Sequence, residues 1–387
     1  MAAVLPLTGV IRPYAWGSRT SIAELQGRPA PTEAPEAELW LGAHPGDPST
    51  VTGADGPVSL AALIADDPKG QLGAEVVNEF GPRLPYLMKI LAAEAPLSLQ
   101  AHPDADHARQ AFAVQEADPA APRNYTDAWH KPEVLVALTP FEALCGFRPP
   151  QRSADALEAL GITRLAPVVA ALRRGPSGLA DAVRTLLTWP ADDRTALIGE
   201  VLAAGTSPLA TSLARHYPGD PGVLVALLLH HVRLAPGEAI WMPAGNLHAY
   251  LEGTGVEIMA ASDNVLRGGL TPKRVDVDEL LRVLRFEVLE NPVLPATEVA
   301  PGVQTWPVPV REFALYRVQL GPSTPPRPLP GEGPRIVVGT AGDVFVAEAV
   351  DGTPVEVTPG TAAYVPAETG PATVAGVGEV FVATAAV

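Results

Sequence analysis

The sequence contains two copies of one turn–strand–proline unit, and this repeat constrains the fold more than any other feature. Residues 235–244 and 358–367 each carry a Pro-Gly turn, a short apolar segment and a second proline. Pro and Gly set the backbone angles of tight turns, and short apolar runs between turns are typical of β-strands. Chance alone can produce such a match, but as a repeat the unit predicts two related β domains in one chain.

The first copy continues into a spacing that is typical of a metal-binding β-barrel. From Gly237 to His248 the sequence follows the pattern G-x5-P-x-G-x2-H, which resembles the second motif of the cupin proteins. A strand, a tight turn and a second strand aim the histidine into a barrel whose interior holds one small ligand. In the second copy Pro371 stands where His248 would be. We therefore expect a metal-free C-terminal barrel.

Two β regions flank a helical one. Short apolar segments broken by Gly, Pro and Asp occupy residues 1–150 and 233–290, which we expect to form the catalytic cupin domain. A three- and four-residue apolar spacing predicts a helical insertion at 151–232, and residues 291–387 predict a metal-free, cupin-like β domain. The expected fold class is mainly β, with two cupin or jelly-roll β-barrels and an inserted α-helical domain. The predicted helices, the first capped by Ser153 and the last by Thr271, span residues 153–160, 178–189, 191–203, 220–231 and 272–284.

Charge and composition argue against several classes of partner. The formal net charge is −16, so neither nucleic acid nor an anionic membrane is an expected partner. The single cysteine, Cys145, cannot form an intrachain disulfide. Residues 1–6 lack the charged start and apolar run of a signal peptide, and the longest apolar run, residues 223–229, is too short to span a bilayer. We expect a cytoplasmic monomer.

Three further residues complete a candidate metal site with His248. Gln100 and His102 are two positions apart on a predicted strand, so their side chains face the same side. Glu133 adds a carboxylate. Two imidazoles, a carboxylate and an amide oxygen suit zinc, with room for water or substrate. Each residue alone is more often a non-ligand, and Gln100 alone could satisfy backbone groups, but together they match motif positions.

Five blocks of the sequence resemble the type I mannose-6-phosphate isomerases, in the order of that family. They are PYAWGS at 13–18, ELWLG at 38–42, LQAHPD at 99–104, HKPE at 130–133 and AASDNVLRGGLTPK at 260–273. The similarity runs to about residue 285, and beyond it only length and β character are similar. The chain departs from the family pattern at Ala105 and Trp129, neither of which is a proposed ligand.

The resemblance implies an activity and a set of site residues. It implies interconversion of mannose 6-phosphate and fructose 6-phosphate, an intramolecular oxidation and reduction, with one Zn²⁺ per chain and a small sugar phosphate as partner. It implies Arg267 as an active-site residue. The metal ligands that it implies are Gln100, His102, Glu133 and His248.

A metal ion and an acid/base group together suit an aldose–ketose isomerisation. The ring opens, a proton moves between C1 and C2, and the enediolate between them carries negative charge that a metal ion stabilises. The candidates for proton transfer are Lys131, His130, Glu257 and Asp263. On an extended chain Lys131 shares the face of Glu133 and His130 lies opposite, which favours Lys131.

Four residues are candidates for binding the phosphate. Arg267 and Lys273 flank a Gly-Gly turn at the predicted start of a helix, a place that suits an anion. Lys89 and Ser98, near the predicted metal-binding strand, are further candidates. Arg267 could instead stabilise the enediolate or form a surface ion pair, and Lys89 could be a solvated edge residue.

The remaining histidines carry less weight. His230 and His231 are expected on a helix as packing or surface residues, and three others have no partner at ligand spacing: His44, His107 and His216.

Two other functions compete with the isomerase. A cupin oxygenase would hold iron or copper in the same lumen, but that class prefers histidine-rich ligands. A non-catalytic cupin that binds sugar phosphates would need no such set as Lys131, Glu133 and Arg267.

Overall fold

Strands and turns make up most of the fold outside one helical segment. The structure is a computed structural model that describes residues 3–53, 56–118, 120, 123–349 and 352–387, so residues 1 and 2 of the predicted first domain lie outside the described residues. Within them the strands are β1 (Leu5–Thr8), β2 (Val10–Arg12), β3 (Glu38–Leu41), β4 (Thr50–Gly53), β5 (Gly56–Ser59), β6 (Tyr86–Ala93), β7 (Gln100–Ala101), β8 (Glu133–Ala137), β9 (Phe141–Phe147), β10 (Leu229–Leu234), β11 (Ala239–Met242), β12 (His248–Ala260), β13 (Leu266–Arg267), β14 (Val293–Leu294), β15 (Thr297–Ala300), β16 (Val303–Thr305), β17 (Ala314–Leu320), β18 (Arg327–Pro328), β19 (Arg335–Glu348), β20 (Val355–Val357), β21 (Ala362–Val365) and β22 (Ala372–Thr384).

The α-helices of the described residues are mostly short. They are α1 (Ser21–Leu25), α2 (Leu60–Asp66), α3 (Pro68–Leu72), α4 (Ala74–Phe80), α5 (Ala105–Ala117), α6 (Pro150–Glu158), α7 (Ala166–Leu172), α8 (Leu179–Leu187), α9 (Ala191–Ala203), α10 (Pro208–His216), α11 (Gly222–Val225) and α12 (Val277–Val283). Single 3-10 turns cover Thr163–Leu165, Gly175–Gly178, Ala226–Leu228 and Ala367–Thr369. Among the residues that the structure describes, no helix has both the length and the apolar character that crossing a membrane requires.

The strands form two antiparallel sheets, which confirms the mainly β class. The first, here called the site sheet, has the order β14-β11-β8-β12-β6-β3-β2, with β7 and β9 also on β12, β10 on β9 and β13 on β7. The second, the C-terminal sheet, has the order β15-β16-β17-β22-β19-β21-β1-β4-β5, with β18 on β22 and β20 on β19. Their ladders are antiparallel.

The long strand β12 brings the two halves of the site sheet together. Its first half pairs with β7 and β9, with His248 opposite Gln100, and its second half pairs with β6 and β8, with Glu257 opposite Lys89. At the change of partners Gly253 has a φ of 127°, a conformation that residues with a Cβ rarely adopt. The register on β9 shifts just before it. One strand therefore carries side chains to both halves of the site.

The N-terminal strands β1, β4 and β5 join the C-terminal sheet rather than the site sheet. Leu5 of β1 pairs with Tyr364 of β21. The phenol of Tyr364 donates to the carbonyl of Gln71 at 3.0 Å, and the phenol of Tyr86 in β6 donates to the carbonyl of Pro334 at 2.9 Å. Sheet connectivity thus crosses the expected boundaries at residues 150, 233 and 291, and the three-domain division stays a prediction.

Both copies of the repeated unit form the strand that the sequence predicts. Gly237 and Gly360 have φ of 89° and 73° in the turns before β11 and β21, where a positive φ requires glycine. The first copy then continues toward His248, and the second into the 3-10 turn at Ala367–Thr369.

Helices occupy the predicted segment, but two predicted caps are wrong. The first helix, α6, begins at Pro150, and the Ser153 hydroxyl accepts from Arg148 Nε at 3.0 Å. The last helix, α12, is capped by Asp276, whose carboxylate accepts from the amide of Glu279 at 3.2 Å. Thr271 instead accepts from the amide of Lys273, which closes a turn ahead of the helix.

The helix predicted at 220–231 is shorter in the structure, where α11 covers only Gly222–Val225. It ends with the 3-10 turn at Ala226–Leu228, and His230 and His231 lie on strand β10. From His231 to Leu234 polar and apolar residues alternate, and the ladder with β9 fixes the extended form of β10. His231 Nε2 lies 2.9 Å from Glu142 of β9.

We expect Gly253→Ala to destabilise the fold. An added Cβ would lie 2.6 Å from the Phe141 ring and 2.8 Å from the carbonyl oxygen of Pro140. Backbone strain and overpacking each cost about 1–3 kcal/mol, so the apparent Tm should fall by several degrees. Gly199→Ala is the matched control, because Gly199 lies in α9 with open space around its Cα, and it should hold or raise Tm. Equal Tm values for both variants would contradict the role of Gly253 in the bend.

Candidate metal centre and its cavity

The site sheet brings the four predicted metal ligands to one place. Gln100 of β7 pairs with His248 of β12 on one side and with Arg267 of β13 on the other. Glu133 begins β8, which pairs with the second half of β12. His102 follows β7 directly. Residues far apart in sequence therefore meet because four strands of one sheet are neighbours.

Three of these ligands form a buried cluster. Nε2 of His102 and Nε2 of His248 each lie 3.2 Å from Oε2 of Glu133. One ligand atom from each of the three residues falls within 4.8 Å of the others. The three side chains are at most 1% exposed. This spacing fits a single ion bound between them.

Backbone carbonyls fix the orientation of both imidazoles. Nδ1 of His102 donates to the carbonyl of Asn264 at 2.7 Å, and Nδ1 of His248 donates to the carbonyl of Asn246 at 3.0 Å. A carbonyl oxygen only accepts, so each Nδ1 carries a proton. In the neutral imidazoles both Nε2 atoms then present lone pairs to Glu133.

Lone pairs in the cluster have neither a proton donor nor a cation to bind. Burial lowers the pKa of His102 to about 4, so this imidazole is neutral at neutral pH. Burial opposes ionisation of Glu133, but the ammonium of Lys131 holds the pKa of Glu133 well below its usual value. Neither His102 Nε2 nor Glu133 Oε2 has a hydrogen-bond partner. Buried lone pairs without a partner are costly, and a metal ion with nitrogen and oxygen ligands satisfies them.

Gln100 lies next to this cluster. Its amide nitrogen lies 3.3 Å from Nε2 of His248. The nitrogen and oxygen of a side-chain amide are assigned from their neighbours, and a half-turn of this amide brings Oε1 to the same position. An amide oxygen there would be the fourth ligand.

A cavity of about 700 Å³ opens beside the cluster. Most of the predicted site residues line it: Lys89, Ser98, Gln100, Lys131, Glu133, Glu257, Asp263, Arg267 and Lys273. Tyr14, Trp16 and Trp40 also line its wall. One cavity thus joins the candidate metal ligands to the candidate acid/base and phosphate-binding groups.

His130 is the predicted candidate that the structure does not bring to the cavity. Its Nε2 lies 2.6 Å from Oε1 of Glu312, a residue just before β17 of the C-terminal sheet. Burial would raise the pKa of Glu312, but the contact with His130 holds it below its usual value. Lys131, the next residue, lines the cavity, whereas His130 is not among the lining residues.

A buried ion pair also lines the cavity. Lys89 Nζ lies 2.9 Å from Oε2 of Glu257 and 3.5 Å from Oε1 of Glu38, and the Tyr250 hydroxyl donates to Oε1 of Glu257 at 2.6 Å. Burial would lower the pKa of Lys89, but these carboxylates outweigh it and raise the pKa above its usual value. Lys89 is 5% exposed, so the alternative of a solvated edge lysine is wrong.

Lys131 links the metal ligands to the cavity. Its Nζ lies 2.5 Å from Oε1 of Glu133, while the other oxygen of that carboxylate faces the histidines. The ammonium therefore neutralises Glu133 from the cavity side. A substrate oxygen bound beside the ion would meet this ammonium.

Arg267 and Lys273 line the cavity, but not at the start of a helix. Arg267 lies on β13, and α12 begins only at Val277, so no helix terminus lies at the Gly-Gly turn. Burial lowers the pKa of Arg267, yet a guanidinium stays charged near neutral pH. Any anion here would be bound by the side chains themselves.

Sequence reasoning missed the partner of His44. Its Nε2 lies 3.3 Å from Oδ2 of Asp263, and both residues line the cavity. Burial lowers the pKa of His44, and Asp263 opposes that effect. Ligand spacing along the chain could not reveal a pair that tertiary folding alone brings together.

Sequence reasoning also missed Asn264, which is fully buried beside the cluster. Its side chain donates to the carbonyls of Asp127 and Trp129, both at 2.8 Å, and accepts from the amide of Thr126 at 2.9 Å. Its own carbonyl orients His102. Asn264 thus ties the segment that leads to Lys131 to a metal ligand, and its place in the Ser-Asp-Asn block was the only signal in the sequence.

Comparisons with known proteins give one result throughout. Residues 4–150 match the family described as phosphomannose isomerase type I, catalytic domain. The mannose-6-phosphate isomerase of Escherichia coli (strain K12) is 36% identical over 96% of this chain and 97% of its own length. The Homo sapiens mannose-6-phosphate isomerase is 31% identical over 95% and 92%.

Solved structures agree with the sequence comparisons. A zinc-bound mannose 6-phosphate isomerase superposes with a TM-score of 0.91 at 32% identity. A variant of phosphomannose isomerase from Salmonella typhimurium superposes with a TM-score of 0.90 at 32% identity. Both alignments cover 100% of each chain.

We expect Asn264→Ala to weaken zinc binding by about 10- to 100-fold, because the Asn264 side chain fixes the backbone whose carbonyl orients His102, and groups that orient a ligating histidine affect metal affinity by that amount. Competition with a chromophoric chelator measures the dissociation constant. Asn78→Ala, at an exposed position in α4, is the control and should bind zinc as the unaltered protein does. A folded Asn264→Ala variant with unchanged zinc affinity would show that the side chain does not help to orient His102.

Proposed function

Because the chain belongs to the family of type I mannose-6-phosphate isomerases, we infer that it is a zinc-dependent isomerase that interconverts mannose 6-phosphate and fructose 6-phosphate. The observation that carries this inference is the cluster of His102, His248 and Glu133, in which His102 Nε2 and Glu133 Oε2 have no hydrogen-bond partner, at a cavity that Lys131 and Arg267 also line. A metal site beside cationic groups suits a phosphorylated substrate whose intermediate is an anion.

We further propose the finer architecture that the sequence predicts. Two cupin barrels would be formed around the site sheet and the C-terminal sheet, with domains at 1–150 plus 233–290, 151–232 and 291–387. The strands β11 and β21 that follow equivalent glycine turns support this division. A monomer in the cytoplasm is the expected state, and sedimentation of the purified protein tests the first part.

Gln100, His102, Glu133 and His248 would hold the zinc ion. When bound, zinc polarises the substrate carbonyl and stabilises the charge that develops on the enediolate oxygens. The chain's own groups orient the substrate and move the protons. Lys131, 2.5 Å from Glu133, would donate a hydrogen bond to the substrate oxygen nearest the ligands.

Glu257 is our candidate for moving the proton between C2 and C1. Its carboxylate lines the cavity at 2% exposure, held by the Tyr250 hydroxyl and by Lys89. A carboxylate fixed in this way stays in one orientation while it takes the proton from one carbon and returns it to the next. The alternatives on the cavity wall are Lys131 and Asp263.

The pair of Asp263 and His44 suits ring opening. This step takes a proton from the anomeric hydroxyl and delivers one to the ring oxygen, so it needs a group that can both accept and donate. An imidazole whose pKa is lowered by burial, beside a carboxylate, meets that need near neutral pH. The phosphate would then be bound by Arg267, Lys273 and Ser98.

A coupled assay with purified protein tests the function. Formation of fructose 6-phosphate from mannose 6-phosphate should stop after chelation and return when zinc is added. His248→Ala should neither bind stoichiometric zinc nor turn over substrate, since it removes a ligand. Turnover that survives complete chelation would contradict zinc dependence. Zinc-loaded protein without turnover would favour the non-catalytic binding protein, and stoichiometric iron with oxygen uptake would favour the oxygenase.

Arg267→Lys should lower kcat/KM by about 10- to 100-fold, because one ammonium replaces a fork of donors whose bonds to an anion contribute about 1.5–3 kcal/mol each. Steady-state kinetics measure this ratio. Arg109→Lys is the matched control, because it makes the same substitution at an exposed position of α5 outside the cavity. It should have the kinetics of the unaltered protein. Near-native kinetics for Arg267→Lys would assign Arg267 a structural role.

A further inference from the structure

A strained turn lies between the two cationic residues of the cavity. Leu270, between Arg267 and Lys273, has a φ of 52° and is the non-glycine residue with positive φ in the described part of the chain. This conformation costs a residue with a Cβ about 1–2 kcal/mol. Leu270 is also fully buried, and it lines the cavity together with Thr271. The surrounding structure must stabilise the turn, because a leucine without such support would not keep a positive φ.

The carboxylate of Asp220 provides that support from the helical segment. Its Oδ1 accepts from the amides of Leu270 and Gly222, both at 2.7 Å, and its Oδ2 accepts from the amide of Thr271 at 3.1 Å. Hydrogen bonds to an ionised carboxylate are among the stronger ones in proteins. Two of the three go to consecutive amides of the strained turn, so one side chain fixes its backbone.

The backbones on either side of this carboxylate are in close contact. A Cβ added to Gly269 would lie 2.6 Å from Cα of Gly222, and a Cβ added to Gly222 would lie 2.5 Å from the amide nitrogen of Leu270. Only two glycines allow this approach. The start of α11 therefore lies directly against the turn.

The opposite side of the turn is joined to the metal-binding strand. The amide of Gly268 donates to the carbonyl of Leu99 at 2.7 Å, and the amide of Leu99 donates to the carbonyl of Gly269 at 3.0 Å. Gln100 follows Leu99. The turn is thus held between the helical segment and the strand that carries a ligand.

We propose that Asp220 is a positioning residue for the phosphate of the substrate. It touches no substrate; it holds the Leu270 turn in its left-handed form, so that Arg267 before the turn and Lys273 after it face one point in the cavity. The helical segment would therefore take part in substrate binding through this carboxylate. That the substrate is a sugar phosphate rests on the proposed function. The role of Asp220 in anion binding can be tested without any turnover of substrate.

Asp220→Asn and Asp220→Ala test the proposal. Asparagine keeps the size of the side chain and one acceptor oxygen but places an amide group toward Thr271, and alanine removes every acceptor. We expect KM for mannose 6-phosphate to rise at least about tenfold in the alanine variant and by a smaller factor in the asparagine variant, with kcat changed less than KM. The dissociation constant for inorganic phosphate, from calorimetric titration of zinc-loaded protein, should rise in parallel. Zinc stoichiometry should stay at that of the unaltered protein.

The controls separate positioning from folding and from the proposed function. Asp192→Asn, an exposed position of α9 in the same segment, should change neither KM nor phosphate affinity. If the alanine variant does not fold, the KM and phosphate affinity of the asparagine variant test the proposal. The proposal would be overturned if a folded Asp220→Asn variant kept both its phosphate affinity and its KM. It would also be overturned if the variant lost zinc binding, kcat and phosphate binding to the same extent. An inactive unaltered protein would refute the function, yet its phosphate affinity would still test Asp220.

Discussion

The site depends on an interaction that is unfavourable in the protein alone: buried atoms with lone pairs face one another with no proton between them. His102, His248 and Glu133 meet in this way. The surrounding residues prevent the cluster from relaxing. The carbonyls of Asn264 and Asn246 hold the far sides of the two imidazoles, so neither ring can turn its N–H toward the carboxylate without losing a hydrogen bond. The fold thus holds these lone pairs around one position, where a bound cation would satisfy them.

The rest of the cavity follows a different electrostatic rule. The chain carries a net charge of −16, but the buried wall of the cavity pairs each ammonium with a carboxylate. Lys131 neutralises Glu133, and Lys89 neutralises Glu257. A phosphorylated substrate therefore meets paired ammonium and carboxylate groups in the buried wall and, at the turn that Asp220 supports, the cationic side chains of Arg267 and Lys273. Such a division orients a molecule with one anionic end.

Local patterns in the sequence predicted much of the site, and contacts between distant segments account for what was missed. The spacing from Gly237 to His248 predicted a ligand because turn and strand geometry depend only on neighbouring residues. The length of the helix before β10 was not predictable in this way, because the ladder with β9 overrides the helical spacing of residues 229–231. The contacts of His44 with Asp263, and of Asp220 with the Leu270 turn, join segments that have no common pattern.

The pairing of β1 with β21 has a consequence for the order in which the protein forms. Leu5 finds its partner, Tyr364, only after the long segment between them has been synthesised. The C-terminal sheet therefore cannot be completed during synthesis of the first half, and until then β1 keeps an open strand edge that can pair wrongly. Contacts of such long sequence separation slow folding. Glu312, which contacts His130, also lies far along the chain from it, so the segment leading to Lys131 gains this contact only after Glu312 has been synthesised.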